Sequence, residues 1–147
     1  MDNALRLFIL AVQLTAITLL RGAEPDIQFL ESSHGAGTQV ECKRNGVVIY
    51  RHIEMPTPKS HVSVWIFYWD GKDAVRILTI GGETSIQQYS GLPVSFTVHI
   101  TAAGQPNFVS IQKADGTVID GLLLKSNGRL TPVPTAELPT PTPTVVK

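Results

Sequence analysis

From residue 26 to about residue 133 the chain repeats one pattern: short runs of Val, Ile, Thr and aromatic residues, broken by small polar pairs. The breaks are Asn45-Gly46, Asp70-Gly71, Gly81-Gly82, Asp115-Gly116 and Asn127-Gly128. Asn-Gly and Asp-Gly suit two-residue hairpin turns because both central positions take positive φ. The runs between them predict strands at 38–44, 47–54, 61–69, 74–80, 84–89, 94–101, 108–113 and 117–124, with 26–31 as a leading strand. No window of a dozen residues in this stretch carries the apolar stripe of a helix. Eight or nine short strands without an intervening helix predict an all-β domain, an antiparallel β-sandwich of immunoglobulin-like or jelly-roll-like kind.

One hairpin can be read in register. With Asn45-Gly46 in the turn, Cys42 opposes Ile49, Val40 opposes Arg51 and Thr38 opposes Ile53. Val40, Cys42, Val47, Ile49 and Ile53 then form a mostly apolar face, and Gln39, Glu41 and Lys43 point the other way. On that face Cys42 reads as a small core residue rather than a reactive thiol. In 94–101, Val94, Phe96, Val98 and Ile100 alternate with Ser95, Thr97, His99 and Thr101, the mark of a strand with one wet face.

The segment 61–69 departs from this rule. Val62, Val64, Ile66 and Tyr68 fall on one face; Ser63, Trp65, Phe67 and Trp69 fall on the other. Both faces are apolar, so the strand is either covered twice or shows one face to a partner. Trp65, Phe67 and Trp69 are the candidate binding residues, an aromatic platform for a sugar ring, a peptide or a neighbouring subunit. Core packing is the competing reading.

The two ends differ from the middle. Arg6 and Arg21 bracket a 14-residue apolar run interrupted only by Gln13, Thr15 and Thr18. As a helix it would be about 21 Å long, against about 30 Å for a bilayer core. That length suits the apolar core of a secretory signal. Cleavage after Ala23 or Gly22, however, puts Arg21 or Leu20 where a small residue is expected. Residues 1–23 therefore read as a signal peptide or a single-span membrane anchor, and both readings place the rest of the chain outside the cytoplasm. Residues 131–147, TPVPTAELPTPTPTVVK, hold five of the ten prolines and read as an extended or disordered Pro/Thr-rich tail, like the stalks of exported proteins. The domain itself is assigned to 24–130.

Composition works by exclusion. Lys+Arg 12 against Asp+Glu 12 leaves no basic footprint, so nucleic acid is not an expected partner. A single cysteine rules out an intramolecular disulfide, and no Asn-x-Ser/Thr acceptor occurs, which leans towards a bacterial envelope or surface protein.

Motifs for chemistry are missing. His34 precedes Gly35-Ala36-Gly37, which lacks the third glycine of a dinucleotide loop. His52-x-Glu54 lacks the Pro-Cys-x-x-Cys partner of zinc deaminases. Cys42, His52, Glu54 and His61 fit no known ligand spacing, and Asp70, Asp73, Asp115 and Asp120 read as solvated turn carboxylates. The sequence thus predicts no enzyme, no cofactor and no metal.

The expected function is an exported, non-catalytic module with a structural, adhesive or protein-binding role at the cell surface or envelope. Its expected partner is a protein or a second copy, with carbohydrate as a further option. The alternative is an accessory subunit of a membrane complex, in contact with the bilayer through residues 5–21. A small β-scaffold hydrolase ranks third and would have to gather His52, His61 or His99 with a carboxylate.

Overall fold

The computed structural model describes residues 24–140. The signal-or-anchor segment and residues 141–147 of the proline-rich end lie outside the described residues. Ten strands follow in chain order: β1 (Ile27–His34), β2 (Gly37–Arg44), β3 (Val47–Pro56), β4 (His61–Trp69), β5 (Lys72–Ile80), β6 (Glu83–Gln88), β7 (Val94–Ile100), β8 (Pro106–Lys113), β9 (Val118–Leu124) and β10 (Leu130–Pro132). The first six form one antiparallel sheet in sequence order, and β10-β9-β8-β7 form a second. Each sheet is a meander. An immunoglobulin-like or jelly-roll domain needs Greek-key crossovers, and no strand among the described residues makes one.

The turns explain this order. Arg44 pairs with Val47, Trp69 with Lys72 and Ile80 with Glu83, so three hairpins close on two residues each. Asn45 and Asp70 sit at φ 52° and 49°, ahead of Gly46 and Gly71 at 79° and 73°. Those values are what a type I′ turn demands, and its twist matches that of the flanking strands. Gly35-Ala36, too short of glycines for a dinucleotide loop, closes β1 onto β2 as a two-residue turn. Two-residue turns at four of the first five connections, and a four-residue turn at 57–60 between β3 and β4, leave each strand beside its predecessor, and a meander results.

The register read for the β2–β3 hairpin holds only beside its turn. Lys43 pairs with Val48, but Cys42 pairs with Tyr50, Val40 with His52 and Thr38 with Glu54. Ile49 is the extra residue of a β-bulge, which shifts every later pair by one and exchanges the faces of β3. Tyr50 and His52 therefore point inward with Cys42, while Arg51 lies beside Glu41 on the outer face, with Arg51 Nε 2.7 Å from Glu41 Oε2.

The inner faces of both sheets contribute to one hydrophobic core. Cys42, Tyr50, Trp65, Phe67, Val75 and Ile77 come from the larger sheet; Phe96, Val109, Ile111, Leu122 and Leu130 come from the smaller. Cys42 has the environment read for it, since burial pushes its thiol up to about 12. The alternation in β7 also agrees: Phe96 is buried, and Ser95 and Thr97 are exposed.

The domain runs past residue 130. Thr131 and Pro132 belong to β10, Val133 is buried, and a 3-10 turn follows at Thr135–Glu137. The Val133 N–H donates to Gly121 O at 3.1 Å, and Leu138 lies directly over Gly121. The early part of the proline-rich segment is thus a strap on the smaller sheet, held by Val133 and Leu138. A methyl group at Gly121 would come within 2.3 Å of Leu138 Cδ1. Gly121→Ala is expected to lift this strap at a cost of about 1 kcal/mol. Hydrogen exchange checks it: the Val133 amide should lose protection while core amides keep theirs, and unchanged Val133 protection would contradict the role given to Leu138.

Candidate functional site

The three aromatic residues of β4 do not share a surface. Trp65 and Phe67 are 5% and 0% exposed, with ring centroids 6.2 Å apart, and they sit between the sheets against Tyr50. The second sheet covers the face they occupy, so they cannot form an open platform. Trp69, at the strand's end, is only half-buried.

Trp69 borders a cleft of about 490 Å³ between the two sheets. One wall is the β2–β3 hairpin with Val47 and Ile49, another is the end of β4, and the floor is Phe96, Ile111 and Leu122 of the smaller sheet. Two bulges lie at this end of the larger sheet, at Ile49 in β3 and at Ala74 between the Phe67–Val75 and Tyr68–Asp73 pairs. Bulges sharpen local twist and redirect side chains, so both hairpin ends are turned at the mouth of the cleft.

Arg44 and Asp120 cross the cleft from one sheet to the other. Arg44 Nη1 donates to Asp120 Oδ1 at 3.0 Å, and Nη2 donates to Oδ2. Asp120 Oδ1 also accepts from the Gly121 N–H at 2.9 Å, which fixes the carboxylate. The hydrogen bond to Asp120 raises the Arg44 pKa further, so the guanidinium stays charged. Asp120, expected as a solvated turn carboxylate, is half-buried next to the Ile119 bulge of β9. The signal was its position two residues before Leu122, on the inward face of its strand. Its partner stands 76 positions away and could not be read locally.

A second polar cluster gathers what the hydrolase reading asked for, in part. His52 Nε2 lies 3.1 Å from Glu54 Oε1 and 3.1 Å from Ser63 Oγ, and His61 Nε2 lies 2.8 Å from Glu54 Oε2. Burial pushes His52 down to about 4, against the opposing pull of Glu54. The carboxylate and the serine share one ring nitrogen, which must carry the proton that Glu54 accepts. That nitrogen cannot then take a proton from Ser63, which is itself 3% exposed. The cluster is a hydrogen-bond network that runs from buried Ser63 out to exposed His61, with the His52 ring stacked on Trp65 at a centroid distance of 3.8 Å. Cys42 is not part of it, and His99 lies on the other sheet, stacked on Phe108. Among the described residues no group of three His, Cys, Asp or Glu side chains could hold a metal ion, and no helix is long and apolar enough to cross a membrane.

Comparison with protein families, with curated proteins and with solved structures yields no match.

Proposed function

We propose that this chain is an extracytoplasmic, non-catalytic β-sandwich module that binds an apolar peptide segment of a partner protein in the inter-sheet cleft. The observation that carries the reading is the cleft's composition: apolar walls around one fixed ion pair. A volume of about 490 Å³ falls in the range of binding pockets, about 300–1,000 Å³. Arg44 and Asp120 use one pair of bonds on each other and keep N–H donors and carboxylate lone pairs in reserve. A free anion would compete with Asp120 for Arg44, whereas a peptide group offers one acceptor and one donor to the pair. The apolar side chains beside that peptide group would fill the space against Trp69, Val47 and Phe96. Export rests on the apolar run between Arg6 and Arg21, with retention as a membrane anchor as the alternative.

The test is a fluorescence titration of the full chain carrying Trp65→Phe, so that Trp69 is the only indole, with the capped tripeptide acetyl-Leu-Phe-Val-amide. The expected result is a saturable change in Trp69 emission, weakened at least tenfold by Val47→Glu. Val47 is 55% exposed, so the substitution leaves the core intact. No emission change up to millimolar peptide, or an equal response in the Val47→Glu chain, would overturn the proposal.

A further inference from the structure

Apart from Val48 and Tyr68, which border the cleft at one end, the outer face of the six-stranded sheet takes no part in the cleft or the core. On it the register places Ile53, Val64 and Leu78 side by side, with Met55, Val62 and Ile80 in the next row. Ile66 continues the patch between Arg51 and Arg76. None of these seven apolar residues is buried or packs against the core, and Ile80 is 47% exposed. Two shallow grooves lined by Val64, Leu78, Ile80 and Ser85 open along it. A contiguous patch of this kind marks an interaction surface more often than a bare sheet.

We propose that this face packs against the same face of a second copy of the chain. Charge is the first argument. Lys43, Arg51 and Arg76 stand on the outer face with Glu41, Asp73 and Glu83, so it carries three charges of each sign. Arg51 is held by Glu41 at 2.7 Å, Lys43 by Glu41 at 3.5 Å and Arg76 by Asp73 at 2.7 Å. A two-fold contact needs a surface complementary to itself, and a face of one sign would repel its copy. Here the cations are already paired at the rim and the centre is apolar, so nothing opposes the approach.

Size is the second argument. Six strands of about eight residues, about 4.8 Å apart with about 3.3 Å per residue, span a face of about 750 Å². A standard stable interface takes about 800 Å² from each partner. Two such sheets stack face to face at about 10 Å with their strands nearly aligned. Val64 stands in the middle row of the patch, on its central strand, near the axis that would relate the two copies.

The experiment uses the full chain with one added cysteine, because buried Cys42 is the only native one. Val64→Cys under mild oxidation should give a disulfide-linked species of twice the chain mass. Val118→Cys, at a 40% exposed site on the smaller sheet, should give no disulfide-linked species. In sedimentation velocity, Val64→Glu should weaken the dimer at least tenfold and leave the circular dichroism spectrum unchanged. Equal crosslinking at 64 and 118, a Val64→Cys adduct only with a different protein, or a wild-type chain that stays monomeric at about 100 μM would each overturn the proposal. The cysteine arm stands even if Val64→Glu fails to fold. The cleft opens on the inner side of the sheet, so failure here leaves the peptide-binding reading untouched.

Discussion

Phe67→Ala is expected to destabilise the protein by about 3–5 kcal/mol. Phe67 is fully buried on β4, paired with Tyr50 on one side and Val75 on the other. Its ring centroid lies 6.0 Å from that of Tyr50 and 6.2 Å from that of Trp65. Truncation removes these contacts and leaves a cavity between two sheets whose strands cannot easily collapse into it. Total stability of a domain this size is about 5–15 kcal/mol, so the loss is a large share. Urea denaturation provides the measurement. Trp69→Ala, at the half-buried end of the same strand, is expected to cost less than half as much and to remove the cleft's aromatic wall. If Phe67→Ala left the unfolding midpoint in place and instead weakened ligand binding, the face assignment of β4 would be wrong.

Acid should act through His52. In the unfolded chain this imidazole has its ordinary value of 6.5; in the fold, burial pushes it down to about 4. Glu54 pulls the other way and His61 adds to the depression, so burial sets the direction. Between these two values the unfolded state binds a proton that the folded state refuses. Stability is therefore fully present above pH 6.5 and is lost as pH falls towards 4, by roughly 3 kcal/mol in total. His52→Phe keeps a ring against Trp65 and removes the titration. Comparing urea midpoints of the two chains at pH 7, 5 and 4 isolates the contribution from that of the carboxylates. The wild-type chain should lose more stability than His52→Phe over this interval; parallel losses would contradict the assignment.

Much of the fold could be read from the chain because its information is local. Asn45-Gly46, Asp70-Gly71 and Gly81-Gly82 each fix a turn by their own φ requirement, and the strands between them follow. What was lost was non-local. Both faces of β4 are apolar, so alternation separates Trp65 and Phe67 from Val64 and Ile66 without saying which pair meets the second sheet. The bulge at Ile49 exchanges the faces of β3, yet no residue in the hairpin announces it. Arg44 and Asp120 meet only because two sheets fold together. In the proline-rich segment, five prolines masked the two anchors, Val133 and Leu138, that hold its first part on the domain. The i, i+2 spacing of His52 and Glu54 puts them on one strand face, but Ser63 and His61 join them from the next strand, which no local pattern announces.

The central claim is that the inter-sheet cleft is where this protein meets its partner. Backbone amide chemical shifts of the full chain, recorded with and without acetyl-Leu-Phe-Val-amide, test it most directly. The expected shifts are confined to Arg44, Asn45 and Val47 to Ile49, to Tyr68 to Asp70, to Phe96 and Ile111, and to Asp120 and Leu122. Shifts concentrated on Ile53, Val64 and Leu78 of the outer face, or none anywhere at saturating peptide, would contradict it.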